Sequence, residues 1–534
     1  MSKSKRRPNF LYIVTDQQRA DHLGCYGNPI VQTPNLNALA ARGTRFDRFY
    51  VAHPVCMPNR STLMTGRLPS LHKVRFNGIP LDRNATTFVD ILRADGYRTG
   101  LIGKSHLQNF TGMDSKRKYE AREGYRAPSE DLRDARKSKL TGPEYEVENS
   151  LKWIDDPERE VPVPFYGFDH VRLCTRHSDN VQGHYRAWLA ARHEDPDSLR
   201  GPRNAIADDR YSAPFAWRTS IPEELYPTSF IAEETIKYLR DRGNDGDDTP
   251  FFLQCSFPDP HAPFTPPGKY WDMYDPDEIP LPPSYGQGDT FPIRQLREWV
   301  KSGPNRNMAN IPYMTTEKET RECIALTYGM ISMIDDAIGR IMSELEAAGL
   351  AEDTIVIFNS DHGDWMGDHG LMLKGPLHYQ GLVRVPFIVA DPGMDGQPAA
   401  SEFLCGSLDF ARTILARAGG SAPNGMQGLD IVPAWSSGSL PNRPGILIEH
   451  DTHRGHLGFE DPLRVRSYVT QRYRTSVFQP IDYCEMYDLQ EDPHELNNVW
   501  DDPRYKPERD RLLEEWMHQL IAHQDTSPLP TRLA

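Results

Sequence analysis

The sequence lacks paired cysteines, long apolar runs and an excess of basic residues. Its seven cysteines are odd in number and scattered, at positions 25, 56, 174, 255, 323, 405 and 484. Because they contain no Cys-x-x-Cys pair, a disulfide framework or a zinc knuckle is disfavoured. The net charge of −14 disfavours generic binding to nucleic acid or to an anionic membrane. We therefore expect no nucleic-acid partner, and an anion would need a local cluster of cations or a metal.

The N-terminal segment is basic but contains only five consecutive apolar residues, FLYIV at 10–14. That run is too short for the apolar region of a signal peptide, and no other segment approaches the length of a membrane span. We therefore expect a soluble cytoplasmic protein without a membrane partner, whose basic start is a solvated tail leading into a strand.

Strand and helix candidates alternate over most of the chain. The longest helix candidate covers 321–349, where isoleucines and a leucine step by three and four residues along one face. Such alternation is typical of an α/β protein with a mostly parallel sheet between two layers of helices. The other candidates are strands at 10–15, 97–103, 250–257 and 354–359 and helices at 33–43, 87–95 and 229–243.

The pattern changes near residue 430, which we interpret as a boundary between a catalytic domain at 1–430 and a smaller domain at 431–534. Four closely spaced strand candidates and a final helix near 508–523 predict a small antiparallel sheet covered by a helix. The stretches 111–225 and 262–312 have no clear assignment, and we expect loops of this length to shape a binding site or an interface.

Unusual polar residues follow several predicted strands directly. In open parallel sheets, ligands bind beyond the carboxyl ends of the strands. We therefore expect these side chains to converge on one edge of the sheet, although they are distant in sequence. They are Asp16, Gln17, Lys104, His106, His261, Asp361, His362 and Lys374.

Asp16, Gln17, Asp361 and His362 could form an oxygen- and nitrogen-rich cage for one divalent cation. A single Asp after a strand is more often a turn or helix cap, but four donors together favour a metal. The segment SDHGDWMGDHG also contains alternative ligands: Asp364, Asp368 and His369.

Arg60, Lys104, Lys374 and His106 could supply positive charge to the same site. A lone lysine is usually solvated, but Lys104 follows an apolar strand end and should point inward. His106 and His261 could equally be structural histidines. His261 lies between prolines in PDPHAPF, a stiff loop that suits a positioned acid.

Cys56 lies in HPVCMPNRSTLMTGR, residues 53–67. Pro58 favours the first turn of a helix that ends near Gly66, so Cys56 would lie at a helix N-terminus, where N–H groups favour an anion. The residue could be an inert capping side chain, a thiolate nucleophile or, less plausibly beside oxygen ligands, a metal thiolate.

The segment CMPNRSTLMTGR at 56–67 resembles the type I sulfatase signature C-x-P-x-R followed by x-x-L-x-T-G-R. The similarity continues through TPNLNALAARG, GYRTGLIGK-x-H, PHAPF, SDHGDWMGDHG and MYDLQEDPHELNN, and so covers most of the chain. It implies an alkaline-phosphatase-like α/β fold with a small C-terminal antiparallel sheet. It also implies a small-molecule sulfate ester as substrate and conversion of Cys56 to formylglycine by a formylglycine-generating enzyme.

The resemblance implies a role for each site residue. The hydrated aldehyde at position 56 would be bound to the metal and attack sulfur, with Arg60 holding it. Lys104 and Lys374 would neutralise the ester oxygens, and His261 would protonate the leaving group. His106 would take up the proton that allows sulfate to leave. The residues expected to contact the substrate are Asn77, Lys104, His261 and Lys374.

The sequence departs from the common sulfatase pattern at two positions. These departures indicate one branch of the family but leave alternatives for the metal and the substrate. Gln17 and His362 replace the Asp and Asn of many sulfatases, as in phosphonate monoester hydrolases, choline sulfatases and some bacterial arylsulfatases. With one carboxylate fewer, calcium or manganese is favoured, while zinc and magnesium stay open. Lys104 and His106 favour sulfate monoesters over phosphonate monoesters or phosphodiesters.

Two further questions stay open. An unmodified Cys56 would leave a metal-dependent anion binder without turnover. A homo-oligomer is also open, since the polar tail at 525–534 could reach a neighbouring subunit.

Overall fold

The computed structural model describes residues 7–115, 119–137, 139–303, 306, 312–394, 396–436, 440–455 and 458–533. Strands in these residues are β1 (Asn9–Thr15), β2 (Thr44–Phe46), β3 (Phe49–Tyr50), β4 (Arg98–Lys104), β5 (His170–Thr175), β6 (Gln182–Gly183), β7 (Phe251–Ser256), β8 (Tyr313–Met314), β9 (Thr354–Ser360), β10 (Leu371–Met372), β11 (Phe387–Ala390), β12 (Ala400–Ser401), β13 (Cys405–Gly406), β14 (Ile446–Asp451), β15 (Arg464–Val469), β16 (Tyr473–Gln479) and β17 (Cys484–Asp488).

The α-helices of the described residues are α1 (Pro34–Ala41), α2 (Cys56–Thr65), α3 (Pro69–His72), α4 (Phe88–Ala94), α5 (Ser150–Asp155), α6 (His184–Ala190), α7 (Pro227–Asn244), α8 (Phe291–Val300), α9 (Glu317–Ala347), α10 (Gln380–Val383), α11 (Ser407–Arg417) and α12 (Lys506–Ala522). Among these residues, none of the helices combines the length and apolar character that crossing a bilayer requires.

A nine-stranded sheet in the order β12-β2-β11-β9-β1-β7-β4-β5-β6 forms the centre of the molecule. Its five middle strands, from β9 to β5, are mutually parallel, whereas β11 and β6 pair antiparallel with their neighbours. Helices cover both faces, and the middle strands are apolar and buried because neither face meets water. The predicted fold class, a mostly parallel α/β sheet between helices, is therefore confirmed.

Helix α9 shows how local sequence determines an element of this fold. Thr316 caps it, since its hydroxyl accepts the N–H of Glu319 and the Glu319 carboxylate accepts the N–H of Thr316. Its apolar side chains then pack on the sheet, so the isoleucine stripe read from the sequence lies in the core. The helix begins four residues before the predicted start at 321, because the cap lies upstream of the apolar stripe.

The C-terminal region forms a four-stranded antiparallel sheet in the order β14-β15-β16-β17. Leu512 and Trp516 of α12 pack against it in a buried cluster with Leu447, Tyr468 and Met486. The predicted small sheet with a final helix is therefore present. The domain boundary at 430 stays a prediction.

Three buried histidines lie between the small sheet and the main body. The ring of His450 is 4.6 Å from that of His53 and 5.6 Å from that of His378. Burial, aided by the neighbouring histidines and Arg466, holds the pKa of His53 well below its usual value. Burial, His450 and nearby arginines do the same for the pKa of His378. Both rings are therefore neutral at pH 7.

Acid should weaken this contact. A histidine whose folded pKa is depressed binds fewer protons in the native state, so its contribution to stability is present above the unfolded pKa of about 6.5 and is lost as pH falls below it. For His378→Gln we expect the free energy of unfolding by urea to fall less steeply below that pH, by about 1.4 kcal/mol per pH unit. The exposed His518→Gln is the control. An unchanged slope in His378→Gln would contradict the prediction.

Candidate active site

The carboxyl ends of the parallel strands meet at one edge of the sheet and place the polar residues there. β1 ends before Asp16, β9 ends before Asp361, and β4 ends at Lys104. Gly103 has φ +102°, and a Cβ at this position would collide with the carbonyl of Ser256 on β7. Glycine therefore allows β4 and β7 to approach closely immediately before the Lys104 side chain turns inward.

Four buried side chains form a candidate metal centre at this edge. One ligating atom from each of Asp16, Cys56, Asp361 and His362 lies within 4.8 Å of the others. His362 Nε2 is 3.5 Å from Asp16 Oδ1 and 3.7 Å from Asp361 Oδ1. His362 Nδ1 lies 2.8 Å from the carbonyl oxygen of Gly363, which favours a proton on Nδ1 and leaves Nε2 free to bind a cation.

Hydrogen bonds fix both the nitrogen and the oxygen of the Gln17 side-chain amide. Its backbone has φ 63°, and its N–H donates to Asp361 Oδ1 at 3.1 Å. Its side-chain Nε2 donates to Asp364 Oδ2 at 2.6 Å, and its Oε1 accepts from Lys374 Nζ at 2.8 Å. The amide oxygen therefore faces the cluster and is available as a further neutral oxygen donor.

The Lys374 ammonium lies where these donors converge. Its Nζ is 3.1 Å from Cys56 Sγ, 3.2 Å from His362 Nε2 and 2.8 Å from Gln17 Oε1. It also donates to His261 Nε2 at 2.7 Å. Three of the five predicted metal ligands, Gln17, Cys56 and His362, thus contact the Lys374 ammonium. Two carboxylates, an amide oxygen and an imidazole fit a hard divalent cation.

Arg60 neutralises the two carboxylates. Its Nε donates to Asp361 Oδ2 at 2.6 Å, and a terminal nitrogen lies 3.5 Å from Asp16 Oδ2. The guanidinium also donates to the carbonyl of Lys104 and to Ser256 Oγ, both at 3.0 Å. Because a buried carboxylate is costly unless it is paired, Arg60 stabilises and orients the candidate ligands. The structure places it on these carboxylates.

Helix α2 presents Cys56 at its first position. Every residue of the helix is buried, and Gly66 ends it in the left-handed conformation with φ 62°. The half-buried Asn77 accepts the N–H of Met57 at 3.1 Å, so it caps the first turn beside Cys56. The helix N-terminus therefore faces the cluster, as predicted from Pro58 and Gly66.

The Cys56 thiol lies in a strongly polar environment. Burial and Asp16 raise its pKa, but Lys374, Lys104 and His362 together outweigh them and lower it below the ordinary value. Sγ is 3.1 Å from His362 Nε2 and 3.6 Å from Asp16 Oδ1. The side chains around position 56 therefore stabilise a negative charge on the atom that occupies the Sγ position.

Lys104 and His261 are linked by a histidine that was not predicted. Lys104 Nζ pairs with Asp16 and donates to His177 Nε2 at 2.8 Å. The His177 ring stacks on His261 with centroids 3.7 Å apart and planes 6° apart. Ligating atoms of Asp16, His177 and His261 lie within 4.8 Å of one another. His177 is thus part of the site.

His106 lies at the side of the cluster. Its ring stacks on Phe110 at 4.0 Å, and its Nδ1 is buried without a hydrogen-bond partner. Burial and the neighbouring Lys104 hold the pKa of His106 well below its usual value. The buried carboxylate of Glu148 accepts the backbone N–H groups of His106 and the next two residues at 2.7–3.0 Å, which fixes this turn.

A sulfatase family model matches residues 8–420, which is more than half of the chain. The chain belongs to the sulfatase family. This membership confirms the predicted family and the predicted enzyme class, a sulfuric ester hydrolase. A second model, described as N-sulphoglucosamine sulphohydrolase, C-terminal, matches residues 367–523 of this sulfatase.

Curated relatives and a solved structure cover nearly the whole sulfatase chain. An arylsulfatase of Clostridium perfringens is 28% identical over 518 residues, 95% of this chain and 93% of the relative. The multifunctional alkaline phosphatase superfamily protein PehA of Trinickia caryophylli is 27% identical over 520 residues, 93% of this chain and 92% of the relative. The phosphonate monoester hydrolase of Agrobacterium radiobacter superimposes with a TM-score of 0.74 at 25% identity, covering 98% of this chain and 97% of that one.

The three alternative ligands lie outside the four-residue cluster of this sulfatase. Asp364 accepts two backbone N–H groups and the amide described above. Asp368 pairs with Arg19 at 2.6 Å, and His369 stacks on Tyr379 at 4.0 Å. Asp364 therefore orients a candidate ligand, and the other two support the surrounding loop.

The sequence interpretation missed His177 and Glu148, which both lie in the unassigned stretch 111–225. His177 comes two residues after β5 and so follows the same strand-end pattern as the predicted residues. The position of His177 after a strand could have indicated it, but β5 was not recognised as a strand. Glu148 acts on backbone N–H groups, and such a role leaves no motif.

Proposed function

We propose that this sulfatase hydrolyses sulfate monoesters, aryl sulfates among them, with formylglycine at position 56 as the source of the nucleophile. The observation that carries the proposal is the placement of Cys56. Its Sγ lies at a buried helix N-terminus, 3.1 Å from both Lys374 Nζ and His362 Nε2. A group at the Sγ position would therefore contact both a positive charge and a candidate metal ligand. A formylglycine-generating enzyme would supply the modification.

One divalent cation would be held by Asp16, Gln17, Asp361 and His362, with position 56 as a further ligand. Calcium or manganese suits the three oxygen donors and single imidazole best, although zinc and magnesium can use such donors too. When bound, the cation would lower the pKa of the hydroxyl at position 56 and polarise the ester. Arg60 would hold both carboxylates in place for it.

Two lysines would hold the anionic oxygens of the substrate. Lys374 Nζ contacts Cys56 Sγ, so it lies beside the atom where attack would occur. Lys104 is wholly buried and pairs with Asp16 Oδ2, whereas Cys56 Sγ contacts Asp16 Oδ1. Their fixed charges would stabilise the negative charge that develops on the equatorial oxygens in the transition state.

Two histidines would move protons. His261 Nε2 accepts from Lys374 at 2.7 Å, so this nitrogen lies next to a group that would hold the ester. It would take up a proton from solvent and then give that proton to the leaving oxygen. His106 has an unpartnered buried Nδ1 and would accept the proton that allows sulfate to leave. Asn77 lies beside the helix N-terminus and is half exposed, consistent with a contact on the substrate side.

Hydrolysis of phosphonate monoesters or phosphodiesters is the second candidate. The structural similarity to a phosphonate monoester hydrolase at a TM-score of 0.74 favours it. The buried pair of Lys104 and His106 favours sulfate, as the resemblance implied. We therefore propose sulfate as the preferred substrate and the phosphorus esters as side activities.

Metal-exchanged enzyme distinguishes these candidates. Protein co-expressed with the modifying enzyme is stripped with a chelator, refilled with calcium or manganese, and assayed on matched nitrophenyl sulfate, phenylphosphonate and phosphodiester. We expect activity only after refilling, with kcat/KM at least about 10-fold higher for the sulfate. A higher kcat/KM for the phosphonate would replace the first candidate by the second. Full activity in stripped protein would exclude the proposed metal role.

A further inference from the structure

His177 completes a repeated arrangement in the site. Lys374 donates to Nε2 of His261 at 2.7 Å, and Lys104 donates to Nε2 of His177 at 2.8 Å. The two imidazoles stack face to face, 3.7 Å apart and within 6° of parallel. Each ammonium group thus donates to its own imidazole, and the stack joins the two pairs.

The backbone around His177 is arranged to hold this ring. Arg176 and Ser178 on either side have φ of 65° and 52°, a region that non-glycine residues seldom occupy and that costs energy to maintain. Ser178 Oγ lies 2.9 Å from the carbonyl oxygen of His261 and 2.7 Å from that of Pro263. The segment that carries His177 is therefore tied directly to the loop that carries His261.

The residue after Ser178 anchors the same segment. The buried Asp179 accepts from the N–H of Gly201, from Trp217 Nε1 and from Thr219 Oγ1 at 2.8–3.1 Å. Three donors from a different part of the chain thus fix the position of the turn. A ring held by strained backbone and by the hydrogen bonds of the two residues that follow it has little freedom to leave its stack.

We propose that His177 is a positioning residue for this sulfatase, which holds the Lys104 ammonium and the His261 ring in their working places. The proposal rests on the proposed function of those two residues. His177 itself needs no contact with the reacting atoms. Its side chain is 11% exposed, compared with 0% for Lys104, so it covers the lysine from the solvent side.

The effect on Lys104 follows from its contacts. Its ammonium pairs with Asp16 and has His177 as its other acceptor. Without that acceptor, the ammonium has only the carboxylate to bind and would move further onto it. It would then stand away from the oxygens of a bound sulfate. Binding of any sulfate-like anion should therefore weaken.

The effect on His261 follows from the stack. Its Nδ1 lies 2.6 Å from the carbonyl of Ala262, which fixes one edge of the ring, and the face of His177 fixes its plane. An acid acts only when its nitrogen is aimed at the leaving oxygen. Loss of the stack should therefore matter most for poor leaving groups, which depend on that proton.

Three variants separate the two contacts. His177→Gln keeps an acceptor for Lys104 but removes the stack, His177→Phe keeps the stack but removes the acceptor, and His177→Ala removes both. His170→Ala, at the exposed opposite end of β5, is the control. kcat/KM is measured on nitrophenyl sulfate and an alkyl sulfate. The affinity for inorganic sulfate is measured by calorimetry.

For His177→Phe we expect affinity for inorganic sulfate to fall about 10-fold and kcat/KM to fall equally on both esters, by about 10- to 100-fold. For His177→Gln we expect retained sulfate affinity and a loss at least about 10-fold larger on the alkyl ester. His177→Ala should show both effects. Equal losses on both esters in all three variants, with sulfate affinity unchanged, would overturn the proposal.

The affinity for inorganic sulfate tests the positioning role of His177 independently of the proposed function. If modified wild-type protein hydrolyses neither ester, the proposed function fails. The Lys104 part of the inference is still decided by sulfate binding: a 10-fold weaker affinity in His177→Phe but not in His177→Gln supports it, and equal affinities refute it.

Discussion

Replacing Cys56 with alanine is expected to lower kcat/KM for nitrophenyl sulfate by at least about 10³-fold, because removal of a catalytic nucleophile leaves only binding and electrostatic stabilisation. The substitution removes a single buried atom at the first position of α2. The contacts of this atom are with the polar side chains of Asp16, His362 and Lys374, so the apolar packing and the fold should be retained. Steady-state kinetics together with thermal unfolding measure the two effects separately.

Cys323→Ala is the matched control. Cys323 is also a buried free cysteine, but it lies within α9, where alanine is a favourable helix residue. We expect it to retain wild-type activity. Mass spectrometry of the peptide containing residue 56 should show an aldehyde in active wild-type protein. Activity in a sample whose position 56 is entirely thiol would refute the formylglycine proposal, and an intact thiol without activity would favour the anion binder.

The main elements of the fold could be predicted because their sequence signals are local. The apolar stripe of α9 and the buried runs of β1, β7 and β9 depend on neighbouring residues. β5 was missed because its sequence HVRLCT includes a charged arginine and begins with the exposed His170. Its place beside β4 is fixed by parallel pairing with residues 70 positions earlier, from Gly100 opposite His170 to Lys104 opposite Cys174. No local sequence pattern records that pairing.

The site could be predicted in part for a similar reason. The rule that parallel strands end at one edge brings Asp16, Lys104 and Asp361 together without knowledge of any side-chain geometry. It does not say which partner each side chain selects. The resemblance implied that Arg60 holds the group at position 56, and the contacts of its guanidinium with two carboxylates were not predicted. Choices among buried charges depend on the whole constellation, which no short motif contains.

Replacing His261 with alanine is expected to act differently on different substrates. A general acid contributes about 10²- to 10⁴-fold when the leaving group needs a proton. Nitrophenolate leaves readily without one, so the loss of kcat/KM should be near the lower limit for nitrophenyl sulfate and near the upper limit for an alkyl sulfate. The reason lies in the position of Nε2, which faces Lys374 at 2.7 Å and so lies beside the proposed ester site.

A series of aryl sulfates of increasing leaving-group pKa makes the test quantitative. In His261→Ala, log kcat/KM should depend more steeply on leaving-group pKa than in the wild type, because more charge stays on the departing oxygen in the transition state. His378→Gln alters a buried histidine beside the C-terminal sheet and should keep the wild-type slope. Parallel lines for wild type and His261→Ala would remove His261 as the acid. The proton would then have to come from another group, and the stacked His177 is the nearest imidazole.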